Sequence, residues 1–231
     1  MPLSKELKTM SKHCCICSQI RGDKTYDLIS RLLKDDVYVR RIPLENDSFA
    51  VIPSLGPLVP GHSLLCPKAH LKSMAGIPVS QFPEYRQLKR RLTSILQSVY
   101  QAPIHLFEHG CSEANGRVLC STDHAHLHFV PVNADVWTVL HEELAWTEIG
   151  TGGRGLSSYV KGSEYLYYES PDSRSYIAVP LSKGFPSQYM RRAFARASGN
   201  RGHWNWKETP SPTSAVATYE SIRECDRACI A

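Results

Sequence analysis

One stretch constrains this chain more than any other: Asp123-His124-Ala125-His126-Leu127-His128-Phe129-Val130-Pro131. An extended strand sends successive side chains to opposite faces, so His124, His126 and His128 line one surface while Ala125, Leu127 and Phe129 take the other. With a rise of about 3.3 Å per residue, alternate histidines stand roughly 7 Å apart, which suits a metal or a phosphate chain better than one shared proton. Pro131 ends the ladder by removing a donor. A solvated edge strand would account for three half-exposed imidazoles, but not for their recurrence at period two opposite an apolar face.

The rest of the composition narrows the setting for such a strand. At 231 residues the chain can hold one large domain, or a domain with an elaboration, and bury a core without crosslinks. Its formal charge of +5 favours phosphorylated ligands over basic ones and gives little reason to expect nucleic acid. No apolar run approaches the ~18 residues needed to span a bilayer, and the N-terminus carries Lys5, Lys8 and Lys12 with no apolar segment behind them. A cytoplasmic protein with reduced thiols is the expectation, its eight cysteines serving as metal ligands or small buried hydrophobes.

Cys14 and Cys17 form a Cys-x-x-Cys pair, close enough for two thiolates to reach one tetrahedral ion. Taken alone the pair leaves metal, redox and packing roles open. Beside a histidine strand it gains weight as half of a structural zinc site, which needs two more ligands and commonly takes imidazole. Apolar spacing predicts a short helix over 25–33 capped by Asp23, and the longest helix over 80–101 with Pro83 in its first turn. Strands are expected at 37–41, 48–52, 63–66 and 104–107. Beyond Val132 the pattern predicts a helix at 136–144, a glycine-rich loop at 150–155, strands at 164–168 and 175–179, and a helix from Ser187 to Ala195 capped by Ser187. A linker over 210–214 and a final helix at 216–225 complete the reading.

The triad, with Asn46-Asp47-Ser48-Phe49-Ala50-Val51-Ile52-Pro53 and Val59-Pro60-Gly61-His62-Ser63-Leu64-Leu65-Cys66-Pro67-Lys68-Ala69-His70, resembles the signature of the histidine triad (HIT) superfamily of nucleotide hydrolases and transferases. The resemblance runs from Cys14 to Val132, a little over half the chain. It implies an α+β fold: a HIT-like antiparallel sheet crossed by one long packed helix over residues 1–133, with an α+β extension over 134–231. Tyr176-Ile177-Ala178-Val179-Pro180 echoes Phe49-Ala50-Val51-Ile52-Pro53 and raises a degenerate second HIT-like half as one reading of the extension.

The resemblance also implies roles. Zinc-containing relatives hold the metal with a Cys pair, an upstream His and the first triad His, here Cys14, Cys17, His70 and His124. His126 is then the nucleophile on the α-phosphorus of a nucleotide, forming a covalent nucleotidyl-histidine intermediate, and His128 bonds phosphate oxygens or assists the leaving group. Substrate contacts map to Ser54, Glu108, Gly110, Asn115 and Ser121. Three positions depart from the family pattern: Ser54 stands where relatives carry the ribose-binding Asp or Asn, Glu108 where they often carry Asn, and Cys120 where many carry Gln. The implied function is nucleotide hydrolysis or nucleotidyl transfer. The alternatives are a zinc-stapled nucleotide-binding protein with little turnover, and nucleic-acid end processing of the aprataxin kind. Dimerisation is common in the family, so a homodimer is admitted. Arg191 and Arg192 could reach a phosphate, against a solvated helix face as the plainer account. Trp204 and Trp206 could stack a base, against a packing anchor.

Overall fold

The computed structural model describes residues 14–35, 38–110, 124–152, 156–160, 162–179 and 185–229. In chain order the elements are helices α1 (Cys15–Arg21) and α2 (Leu28–Leu33), strands β1 (Phe49–Pro53) and β2 (Ser63–Pro67), helix α3 (Phe82–Tyr100), and strands β3 (Ile104–Gly110) and β4 (Leu127–Pro131). Helix α4 (Val136–Glu143), strand β5 (Thr147–Thr151), helix α5 (Leu156–Val160), strands β6 (Tyr165–Glu169) and β7 (Arg174–Ala178), and helices α6 (Tyr189–Ala197) and α7 (Pro212–Ala228) follow. The strands form one sheet in the order β1-β2-β4-β3-β6-β7-β5, with every neighbouring pair antiparallel. The expected α+β architecture holds. The sheet runs on across residue 133, because β3 pairs with β6 from Leu106↔Glu169 to Gly110↔Tyr165.

Period-two alternation divides the core between the two faces. Leu106, Leu127 and Phe129 meet Leu88, Leu92 and Leu96 of α3 and Ile222 of α7 on one side. Phe107, Val130, Leu166 and Tyr168 meet Val136 and Leu140 of α4 and Met190 and Phe194 of α6 on the other. A third cluster packs Ile16 and Ile20 of α1 on Ala50, Ile52 and Cys66 of β1 and β2. The C-terminal helices therefore cover both faces, α7 beside α3 and α6 above the middle strands.

Several local expectations are corrected. Of the strand expected at 37–41, Val37 lies outside the described residues and 38–41 joins no ladder. Its arginines are tied elsewhere: Arg40 donates from Nε to Ile20 O, and buried Arg41 donates to Ser30 Oγ and pairs with Asp35. Helix α2 begins at Leu28, because Asp27 rather than Asp23 takes the backbone N–H groups of Ile29 and Ser30. The expected Ser187 cap is replaced by Gln188 at φ 58°, whose side chain makes no capping bond, and α6 starts at Tyr189. The linker over 210–214 is the start of α7, whose Pro212 fits the first turn where no N–H is needed. Strand β5 occupies the start of the glycine-rich stretch, and α1 was not anticipated at all.

Candidate functional site

The histidine strand is shorter than its sequence suggests. Strand β4 begins at Leu127, so His124 and His126 lie in an extended lead-in whose Ala125 N–H donates to Leu71 O instead of to a neighbouring strand. The facing is nevertheless as expected. Ala125, Leu127 and Phe129 are buried with α3, and the imidazoles lie on the opposite side. The rings of His126 and His128 are 4.7 Å apart at their centroids.

His124 turns away from its two companions toward α1. Its Nδ1 lies 3.4 Å from Cys14 Sγ and 3.3 Å from Cys17 Sγ, and Cys17 Sγ lies 3.3 Å from His70 Nδ1. All four ligand atoms are within 4.8 Å of one another. A tetrahedral zinc with ordinary Zn–S and Zn–N bonds would set such S···N edges at about 3.6 Å, close to those observed. Cys14 caps α1, its sulfur accepting from Cys17 N–H, so the helix start holds both thiols on one side. His124 Nε2–H donates to Pro67 O at 2.8 Å, which leaves Nδ1 unprotonated and aimed at the sulfurs. Burial, and then the neighbouring Cys14, push the Cys17 thiol up to about 12. Cys14, Cys17, His70 and His124 therefore fit a closed, four-ligand zinc site of the structural type. Cys15, beside them in sequence, faces the cleft instead.

His126 and His128 stand on the wall of an open cleft, with Ser54, Gly56, Arg191 and Trp206 around them and the apolar Ile16, Leu28, Ile29 and Ile52 beyond. Half-buried His126 donates from Nδ1–H to His124 O at 2.7 Å, since a carbonyl can only accept. Its Nε2 therefore carries a lone pair. The tautomer of His128 follows from a two-step relay. Leu58 N–H donates to His62 Nδ1 at 3.0 Å, so neutral His62 is protonated at Nε2, and this N–H donates to His128 Nδ1 at 2.8 Å. His128 is thereby protonated at Nε2. Burial holds His62 and His128 well below the usual histidine range, and also lowers His126. Phe107 stacks on His128 with centroids 4.1 Å apart and fixes the ring plane.

The sequence-assigned residues thus divide. His126, His128 and Ser54 share the cleft, and Cys14, Cys17, His70 and His124 share the metal-type cluster. Glu108 and Gly110 lie on the α3 face, away from the histidines. Phe107 is the β3 residue paired with His128, and its neighbour Glu108 points through the sheet to accept from Met74 N–H and Tyr165 OH. Gly110 sits against Tyr165, whose ring carbon would be 2.1 Å from an added Cβ. Neither contacts the cleft, a consequence of the same period-two rule that placed the histidines. Asn115 and Ser121, with Cys120, lie outside the described residues.

Two contributors escaped the sequence reading, His62 and Glu164, and the burial of a third, Arg191, was not foreseen. His62 was given no role of its own in the motif; the relay depends on its fully buried ring. Arg191, weighed with Arg192 between a phosphate contact and a solvated helix face, is buried in the cleft wall. Glu164 holds His109 at 2.6 Å, and that histidine shares a small recess with His126 and His128. Their signals were long-range, since Arg191 and Glu164 reach the site only through the C-terminal half of the sheet and α6. Trp204 proves to be packed under Arg192, at 4.0 Å, whereas Trp206 lines the cleft.

No family model and no curated protein matches this chain. Among solved structures it is similar to a hypothetical histidine triad nucleotide-binding protein from Sulfolobus tokodaii, at 14% identity over 93% of each chain with a TM-score of 0.45. It is also similar to a Zn-bound histidine triad family protein from Mycobacterium smegmatis, at 20% identity over 53% of this chain and 77% of that one, TM-score 0.38. A third is a HIT family hydrolase from Clostridium thermocellum, at 18% identity over 52% and 91%, TM-score 0.34. Likenesses at this level carry no functional weight, and the chemistry has to be read from the residues. No helix among the described residues is long and apolar enough to cross a membrane.

Proposed function

We propose that this chain is a histidine-triad-type nucleotide hydrolase or nucleotidyltransferase that works at the α-phosphate through a nucleotidyl-histidine intermediate. The observation that carries the reading is the pair of neighbouring imidazoles in opposite tautomers on one cleft wall: His126 with a lone pair on Nε2, His128 with a proton there. A nucleophile beside a donor is what phosphoryl transfer through histidine requires. His126 Nε2 attacks the α-phosphorus, the N–P bond forms, and the bond to the leaving group breaks with its electron pair. His128 Nε2–H donates to a phosphate oxygen or to the departing atom. In the second step an acceptor oxygen attacks phosphorus and the N–P bond breaks, restoring His126. Water as acceptor gives hydrolysis and loses its proton to solvent; a phosphate as acceptor gives transfer.

The apolar part of the cleft suits a nucleoside, and Ser54 lines the same cleft. Zinc, when bound, supplies a structural cross-link. Cys14, Cys17, His70 and His124 would hold it, and His124 thereby becomes a fixed post whose carbonyl orients His126.

Incubation with nucleoside phosphoramidates and dinucleoside polyphosphates tests the proposal. Release of mononucleotide, abolished by His126→Ala, is expected. Binding without turnover by the intact protein would favour a nucleotide-binding protein, and product from adenylated DNA ends alone would favour end processing.

A further inference from the structure

Among the described residues Arg191 is the one arginine whose side chain lines the candidate cleft, and it comes from α6, well outside the stretch that carries the histidine motif. The residue is only 4% exposed. Its Nε donates to Trp204 O at 2.7 Å and its Nη2 to Gly56 O. No carboxylate among the described residues lies within salt-bridge reach of it, and Nη1 has no partner among them. A guanidinium taken out of water with two neutral carbonyls and no anion is costly to keep, which is why buried charges are ordinarily paired. Burial alone lowers Arg191 to about 10, so it is still charged at neutral pH.

Its position says what kind of anion it would meet. The main cleft, with its apolar wall, and the smaller recess with Phe107, His109 and Gln188 share three residues: His126, His128 and Arg191. Arg191 therefore stands at the waist between the two spaces, beside the imidazoles. Two of its nitrogens are held by backbone, which fixes the plane of the fork and preorganises the remaining edge.

We propose that Arg191 is the anion anchor of this site, its Nη1 edge binding the non-bridging oxygens of a phosphoryl group seated between His126 and His128. The inference rests on the nucleotide reading for the identity of the group, but not on turnover. It makes the C-terminal part of the chain a contributor to phosphate recognition rather than a cover. The competing account is a structural staple, since the same guanidinium ties α6 to the loop at Gly56.

Binding distinguishes the two. Dissociation constants are measured calorimetrically for the four nucleosides and the four nucleoside 5′-monophosphates, on wild type, Arg191→Gln and Arg191→Lys. The anchor predicts that wild type prefers the best-bound monophosphate over its nucleoside by at least about tenfold. In Arg191→Gln that preference falls toward unity while nucleoside affinity changes less than about twofold, and Arg191→Lys keeps part of it. An equal loss of nucleoside and monophosphate affinity in Arg191→Gln, or an undiminished preference, overturns the proposal in favour of the staple. So does a wild type with no preference. Should neither variant fold, arginine-nitrogen-labelled wild-type protein decides: a buried side-chain resonance that moves with monophosphate but not with nucleoside supports the anchor, and one that ignores both overturns it. A wild type with the Arg191-dependent preference but no hydrolysis or transfer would sink the catalytic reading and leave this one standing.

Discussion

His62 Nε2 lies 2.8 Å from His128 Nδ1, and the proton between them can belong only to His62, whose other nitrogen is already accepting from Leu58 N–H. The orientation of the proton on His128 is thus set four residues before His62, by a backbone amide in a proline-rich loop.

Removing that relay should cost turnover more than binding. In His62→Leu, His128 is free to take either tautomer, and kcat is expected to fall about 10–100-fold with nucleotide affinity nearly unchanged. His62→Gln keeps an N–H donor and should recover part of the loss. Steady-state kinetics beside direct binding measurements check this; a KM effect with unaltered kcat would contradict the relay.

The metal-type cluster predicts about one zinc per chain by elemental analysis of protein purified without chelator. Cys17→Ser should lose it. Because α1 carries Ile16 and Gln19 into the cleft wall, the variant is expected both to melt earlier and to bind nucleotide less tightly. Full metal content in Cys17→Ser would contradict the ligand assignment.

Two buried groups on opposite faces of β3 oppose each other in pH. Burial lowers His105 from 6.5 to about 4, so between those values the unfolded chain binds a proton that the native one refuses, and stability is lost as pH falls. Burial raises Glu108 from 4.5 to about 7, so the native state keeps a proton that the unfolded one releases, and stability is lost as pH rises. Each is worth up to about 1.4 kcal/mol per pH unit within its window. Relative to wild type, His105→Gln should therefore gain stability on acidification from pH 6.5 to 4.5, and Glu108→Gln should lose it. Urea unfolding across that range measures both slopes; shifts of the same sign would contradict the argument.

What the sequence disclosed, and what it hid, follows one division. Local periodicity carried β1, β2, β3, β4 and α3, and put His126 and His128 on the face opposite Leu127. The Cys14, Cys17, His70 and His124 set was reachable only through resemblance, because nothing local joins residues 14 and 124. Glu108 was misplaced by the same resemblance, although counting by two from Phe107 sends it to the far side of the sheet. Arg191 could not be recognised as buried from its own helix, since Arg191 and Arg192 are adjacent and only packing against the Gly56 loop tells them apart: one enters the cleft, the other stacks over Trp204.

That loop offers a further test. A Cβ on Gly56 would stand 2.5 Å from Trp206 Cβ and 2.6 Å from its Cα, so Gly56→Ala must displace the tryptophan segment. Ser211 N–H on Leu55 O and Asn200 on Leu58 O brace the same loop. The substitution should cost about 1–3 kcal/mol and weaken nucleotide binding, read by thermal unfolding and by Trp206 fluorescence on titration. Unchanged stability and affinity would show that the brace does not shape the cleft.

The central claim is that His126 Nε2 bonds to phosphorus. Rapid acid-free quenching of wild-type protein mixed with a nucleoside phosphoramidate, followed by intact-mass measurement and peptide mapping, tests it most directly. The account predicts a transient increment of one nucleoside monophosphate located on His126 and absent in His126→Ala. Product formation with no such adduct, or an adduct that persists in His126→Ala, would contradict it.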